Sequence, residues 1–208
     1  MTKSDVLDWL ARDRLVPVVR APSEEEANRV VEALIEGGIN IIEVTTTVPG
    51  MLDIIQALSR RYGNKLLIGA GTVLDPESAC TCIEAGAKFI VSPGFDQRTV
   101  AICNRLGVVV APGALTPTEI LTAWHAGADI VKVFPCDALG GPSYIKSIKA
   151  PLPHVKVMPT GGVTLENLPA FLKAGAIAVG VGTSLVDLSL DHATLVARAK
   201  AFVAASSR

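Results

Sequence analysis

Aromatic residues are scarce in this chain, 4% of 208 residues, too few for a platform on which nucleic-acid bases stack. Charge is sparse as well. Only 19% of residues are Asp, Glu, Lys or Arg, and the formal net charge is −1, so no basic stripe is available to follow a phosphate backbone. The four cysteines, Cys80, Cys82, Cys103 and Cys136, contain no Cys-x-x-Cys pair. Cys80 and Cys82 stand two apart on an expected helix and face different ways. Reduced thiols in a cytoplasmic protein are the expectation. His125, His154 and His192 share no ligand spacing, so they read as surface or packing residues, and neither a metal nor a cofactor is expected. No apolar run is long enough to span a bilayer, and Met1-Thr-Lys-Ser-Asp-Val lacks the apolar core of a signal peptide. The expected partners therefore include no nucleic acid and no membrane.

What the chain has in quantity is apolar residues, 50% of the total, which suits one domain over residues 1–208 with a large core. Short β-branched runs alternate with amphipathic stretches. A first helix is expected from Ser4 to about Arg12, capped by Ser4. Strands follow at Leu15–Arg20, at the Glu43 stretch, at Lys65–Thr72, Lys88–Pro93, Val108–Gly113, Ile130–Pro135, Val155–Thr160 and Ala178–Thr183. Between them, Ser23, Asp75-Pro76 and Thr116-Pro117 read as helix starts, Thr164 opens another, and a last helix runs from about Asp191 to Ala204. Eight strand–helix units predict an α/β fold, a (β/α)8 TIM barrel with an additional N-terminal helix. The rival is an open doubly wound sheet, which usually carries a Gly-x-Gly-x-x-Gly turn after its first strand; Arg20-Ala-Pro-Ser is no such turn.

Four segments repeat one pattern, a glycine followed by a strand: Gly38 to Val44, Gly86 to Ser92, Gly127 to Val133 and Gly175 to Val181. They are the even-numbered strands, which share interior layers in this barrel type. Aligned on their glycines, Glu43, Val91, Lys132 and Gly180 occupy one layer. Toward the C-terminal mouth lie Thr45, Pro93, Phe134 and Gly182. Below lie Ile41, Phe89, Ile130 and Ala178, an apolar plug. A carboxylate and an amine are thus expected in one cavity, with Gly180 leaving room beside them. The bland alternative is a buried structural ion pair, which adds little net stability.

An amine that attacks a ketone must be unprotonated, and burial favours that form. The resulting imine, once protonated, is an electron sink for breaking a neighbouring carbon–carbon bond. Such a reaction also needs a proton shuttle, and Glu43 is the only other ionisable residue in the layer. Thr160-Gly161-Gly162 follows the seventh strand and Gly182-Thr183-Ser184 the eighth. Loops at those two places often bind phosphate through backbone N–H groups, although glycine also simply ends many helices and turns. A phosphate there implies a sugar-phosphate-sized substrate. Arg20 ends the first strand, where it either holds an anion or is a surface arginine. Thr72 and Thr160 either contact substrate or satisfy turns. Cys136 has nothing beside it that marks a nucleophile.

These residues resemble a family. Val18-Val-Arg20, Gly37-Gly-x-x-x-x-Glu43-Val-Thr45, Ile68-Gly-Ala-Gly-Thr-Val73, Phe89-Ile-Val-Ser-Pro93, Lys132-Val-Phe-Pro135, Pro159-Thr-Gly-Gly-Val163 and Val179-Gly-Val-Gly-Thr-Ser184 together are similar to the 2-keto-3-deoxy-6-phosphogluconate (KDPG) and 4-hydroxy-2-oxoglutarate aldolases, nearly end to end. The resemblance implies a metal-free class I aldolase that cleaves a keto-acid phosphate to pyruvate and glyceraldehyde 3-phosphate, in the Entner–Doudoroff route of sugar-acid breakdown. It implies a Schiff base on Lys132 and proton transfer by Glu43. It gives the pyruvate part to Thr72 and Thr160, with Pro93 and Phe134 as walls. The phosphate goes to Gly161, Gly162 and Ser184, and an anionic end of the substrate to Arg20. It also implies a cytoplasmic homotrimer. Some members carry an arginine four residues after the glutamate, for the carboxylate; this chain has Thr47, as other members have threonine, which leaves the carboxylate to Arg20 and Thr72. A galactonate-series aldolase, a sugar-phosphate epimerase or isomerase, and a non-catalytic binding protein are the alternatives.

Overall fold

The computed structural model describes residues 1–207. Helix α1 is Lys3–Asp13, and its cap is Thr2 rather than Ser4: the Thr2 side chain accepts from the Asp5 N–H while the Asp5 carboxylate takes the Thr2 N–H. This reciprocal box satisfies two end donors at once, which a serine inside the first turn cannot do. The expected caps Ser23, Asp75 and Thr116 open α2 (Glu24–Glu36), α4 (Pro76–Ala85) and α6 (Pro117–His125). The other helices are α3 (Met51–Tyr62), α5 (Gln97–Arg105), α7 (Pro142–Lys149), α8 (Leu168–Lys173) and α9 (His192–Ser206). Helix α8 starts later than expected, because Thr164 and Asn167 instead exchange side-chain hydrogen bonds across a turn.

Strands β1 (Leu15–Val19), β2 (Ile41–Thr45), β3 (Leu67–Gly71), β4 (Phe89–Val91), β5 (Val109–Ala111), β6 (Gly113–Ala114), β7 (Val131–Val133), β8 (Val157–Pro159) and β9 (Val179–Val181) pair only in parallel. They form a curled six-stranded sheet, β5-β4-β3-β2-β1-β9, and a three-stranded sheet, β6-β7-β8. The expected fifth strand is therefore divided. Pro112 sits between β5 and β6; it has no N–H to give to a ladder. Its carbonyl still accepts from Lys132 N–H at 2.9 Å, and Val110 O accepts from Asp129 and Ile130, so the chain stays bonded to the next strand across the break. A single bridge, Thr160 to Gly180, joins the end of β8 to β9.

All strand residues are buried, so each strand has apolar neighbours on both faces. One face packs on the helices. The other forms a separate cluster of Val16, Ile41, Leu67, Phe89, Val91, Val109, Ala111, Ile130, Met158 and Ala178, closed at one end by Val6 and Leu10 of α1. The expected plug residues Ile41, Phe89, Ile130 and Ala178 all belong to it. The four repeat glycines, Gly38, Gly86, Gly127 and Gly175, have φ from +92° to +118°, the left-handed region in which helices are most cheaply ended before the next strand.

Candidate active site

The middle of β7 presents Lys132 and the middle of β2 presents Glu43, 2% and 1% exposed. Parallel register places Glu43 between Val18 and Gly69, and Lys132 between Gly113 and Met158. The Glu43 carboxylate lies over Gly71, where a Cβ would stand 1.9 Å from Oε1. Gly71, two pairings from Gly69 along β3, is thus the residue that makes room for the acid. The room expected from Gly180 goes elsewhere: a Cβ there would meet Thr160 Oγ1 at 2.2 Å.

Glu43 and Lys132 form no salt bridge. Among the described residues, neither Glu43 oxygen has a hydrogen-bond partner, and the buried Thr160 hydroxyl has none either. Burial pushes the Glu43 carboxyl above the usual carboxylate range, against the pull of Lys132 and Arg20, whose positive charges act in the other direction. A buried carboxyl with no donor aimed at it is costly as structure, and perturbed groups of this kind cluster where chemistry is done. Lys132 Nζ stands 5.2 Å from the centroid of the Phe134 ring.

Above them opens a cavity of about 510 Å3. Lys132, Phe134 and Thr160 form its floor, and the glycine turns form one wall through Gly161, Gly162, Gly182, Thr183 and Ser184. Gly161 and Gly162 have φ of +95° and +69°; a side chain on either would also crowd Asp137. Ser184 Oγ donates to Val163 O at 2.5 Å, which ties the two turns together. Arg20 enters from the end of β1, donating to Thr72 Oγ1 at 3.1 Å and Thr47 Oγ1 at 3.5 Å. Thr72 has φ of +58°, unusual for a β-branched residue.

Four expected site residues lie outside that cavity, and Glu43 is the first of them: it was expected in one cavity with Lys132 but lines no part of this one, being fully enclosed in the interior. Thr45 is fully buried and gives its hydroxyl proton to Val19 O. Thr72 is reached only through Arg20. Pro93 lines a second hollow of about 340 Å3 with Gly94, Gly113 and Leu115, and only the Phe134 ring belongs to both spaces. Val18, Val186, Asp187 and Leu188 line the main cavity without having been expected. Val18 was within reach, since the period-two alternation that turns Val16 inward also turns Val18 and Arg20 inward. Asp187 and Leu188 sit in an irregular turn that carries no periodic signal.

The cysteines take no part. Burial raises the Cys136 thiol to about 11, so it is protonated at neutral pH, and all four are free. Among the described residues, no three His, Cys, Asp or Glu side chains converge as a possible metal set, and no helix is long and apolar enough to cross a membrane. His192 pairs with Glu36 on the surface and His154 packs edge-on against Trp124.

A buried amine and a buried acid under glycine turns at the strand ends of a parallel α/β fold make the arrangement of an enzyme site. Comparison with known proteins gives the family. The profile described as "Aldolase: KDPG and KHG aldolase" matches residues 6–201. The 2-dehydro-3-deoxy-6-phosphogalactonate aldolase of Escherichia coli is 36% identical over 200 residues, 96% of this chain and 97% of that protein. The 2-dehydro-3-deoxy-phosphogluconate aldolase of Treponema pallidum is 40% identical over 167 residues, 80% of this chain and 79% of that one. A solved structure described as native KDPGal superposes with a TM-score of 0.85 at 37% identity, covering 92% of this chain and 93% of that chain. The chain belongs to the KDPG and KHG aldolase family, and it is an aldolase.

Proposed function

We propose that the protein is a class I aldolase that cleaves 2-keto-3-deoxy-6-phosphogluconate to pyruvate and glyceraldehyde 3-phosphate, with 4-hydroxy-2-oxoglutarate as a smaller substrate cleaved to pyruvate and glyoxylate. The observation that carries this reading is a single cavity that holds both Lys132 and the Gly161-Gly162 and Gly182–Ser184 turns, with the unpaired Glu43 buried beside it. Lys132 Nζ attacks the C2 carbonyl and water leaves, giving an imine that is protonated. The C4 hydroxyl then gives up its proton, the C3–C4 bond breaks, and its electron pair moves into the iminium to leave an enamine. Glyceraldehyde 3-phosphate departs. Protonation at C3 and hydrolysis release pyruvate and return the amine. Glu43, whose carboxyl burial pushes above the usual carboxylate range, accepts and returns these protons, directly or through water. Thr160, whose buried hydroxyl has no partner, and Phe134 bound the pyruvate portion, with Pro93 behind the ring. Arg20, backed by Thr72 and by Thr47, whose hydroxyl bonds in turn to Thr45, takes the carboxylate. Gly161, Gly162, Gly182, Thr183 and Ser184 take the phosphate. No cofactor is required.

The test is borohydride reduction with pyruvate followed by peptide mapping. A reduced pyruvate adduct on Lys132, absent in Lys132→Ala, is expected. An active protein with no adduct would remove imine chemistry and move the reading to a sugar-phosphate epimerase. The galactonate series is a second reading for the same chemistry, since a galactonate aldolase matches nearly end to end. Turnover of both C4 epimers separates the two.

We further propose that the two sheets act as one closed (β/α)8 barrel plus an N-terminal helix, in a single domain. In support, β5 and β6 are one chain run broken at Pro112, and Thr160 bridges to Gly180 on the other side. The working state we propose is a homotrimer in the cytoplasm, in keeping with four free cysteines.

A further inference from the structure

One wall of the cavity is an irregular turn, and what holds it in place lies outside the cavity. Ser184, Val186, Asp187 and Leu188, between β9 and α9, all face the substrate space. Behind them stands Arg29 of α2. Its Nη2 donates to Leu188 O at 2.7 Å and its Nη1 to Leu190 O at 2.8 Å. Glu26, one helical turn earlier, holds the guanidinium from the other side, accepting from Nε at 3.3 Å and from Nη2 at 2.8 Å. The fork therefore spans two turn carbonyls while a carboxylate fixes its plane. Arg198 of α9 adds a weaker second hold, with Nη1 at 3.3 Å from Ser184 O and 3.4 Å from Asp187 Oδ2.

We propose that Arg29 is a positioning residue for the phosphate end of the site: it touches no substrate and acts by fixing the backbone of residues 184–190. This rests on the proposed placement of phosphate against that wall. A turn without regular secondary structure has carbonyls that water would otherwise solvate and several backbone conformations to lose. Charge-assisted bonds from a planar guanidinium to two carbonyls select one of them, and lysine, a single point charge, cannot span both. The amine, Glu43 and Arg20 are carried by β7, β2 and the end of β1, which this clamp does not touch. Loss of the clamp should therefore fall on one end of the substrate only.

The experiment compares wild type, Arg29→Met and Arg29→Lys on the phosphorylated six-carbon substrate and on unphosphorylated 4-hydroxy-2-oxoglutarate, with borohydride trapping of pyruvate alongside. For Arg29→Met we expect KM for the phosphorylated substrate to rise roughly tenfold, about 1.4 kcal/mol. We expect kcat, pyruvate adduct yield and turnover of the unphosphorylated substrate to stay at wild-type level, and Arg29→Lys to recover only part of the KM. Unchanged KM in Arg29→Met, or equal losses on both substrates and on trapping, would overturn the proposal. If Arg29→Met does not fold, Glu26→Gln, which releases the guanidinium, is read by the same criteria. A wild-type enzyme that treats the two substrates alike fails the phosphate placement itself. A wild type that discriminates, with an Arg29→Met that discriminates equally, fails the clamp alone.

Discussion

At the scale of single residues, Gly71 makes room for the buried Glu43 carboxylate. An unpaired buried carboxyl is protonated at lower cost than it is ionised, which is why burial raises it. The folded state thus keeps this proton to a higher pH than the unfolded chain does. Stability contributed by that proton is complete below the ordinary carboxylate value and is lost as pH rises toward the raised folded value. Glu43→Gln does not titrate. It should therefore melt above wild type by a margin that grows as pH rises above about 4.5, the ordinary glutamate value, while kcat falls by about 10²–10⁴-fold. Thermal melts across that range together with steady-state rates check both halves; wild-type turnover in the variant would remove the proton-transfer role. Gly71→Ala tests the same acid from across the strand pair. Its φ is ordinary, so the backbone accepts alanine, but the added methyl occupies the space of Glu43 Oε1. We expect kcat to drop more than about tenfold, by the logic that small misplacements of a catalytic group are expensive, with little change in melting temperature. Normal rates would mean that the carboxylate is free to work from another position.

Single elements show what could be read from the sequence and what could not. Helix caps at Ser23, Asp75 and Thr116 were legible because a cap is decided within four residues. The positive-φ glycines that precede β2, β4, β7 and β9 were legible for the same reason. The plug of Ile41, Phe89, Ile130 and Ala178 followed from strand alternation once the repeat had been aligned. The division of a strand at Pro112 was not legible, because proline breaks a ladder only where a neighbour asks for its N–H. Gly71 as the partner of Glu43 needed the register between β2 and β3, which no local pattern carries. Arg29 was out of reach altogether, since the carbonyls it holds lie 159 and 161 residues further on. Helix α1 offers its own prediction. Leu10, 1% exposed, closes the end of the interior cluster opposite the substrate cavity. Leu10→Ala should cost about 2–5 kcal/mol of stability. Denaturant titration would show this, with KM for pyruvate unchanged; an altered KM would mean that the plug and the site move together.

For the molecule as a whole, the expectation concerns assembly and choice of substrate. Sedimentation equilibrium should give three times the 21.7 kDa chain mass, and a monomer at micromolar concentration that is fully active would remove the trimer from the working state. Relatives named for the gluconate and for the galactonate series match at similar identity, so family membership alone does not choose between the two C4 epimers. In the proposed placement Thr160 bounds the pyruvate part, which is the same in both epimers, so Thr160→Val should leave the ratio of their kcat/KM values unchanged; a changed ratio would place Thr160 against C4.

Phe134 lines two spaces. One lies above Lys132; the other is the hollow bounded by Pro93, Gly113 and Leu115. A smaller side chain, as in Phe134→Leu, is expected to widen the way from one room to the other. An enzyme remodelled in this way could accept acceptor aldehydes longer than its own while keeping its nucleophile and its acid in place. For a chemist who wants new carbon–carbon bonds from pyruvate, Phe134→Leu is the substitution that tests this reach: an unchanged range of acceptor aldehydes would show that the two rooms stay apart.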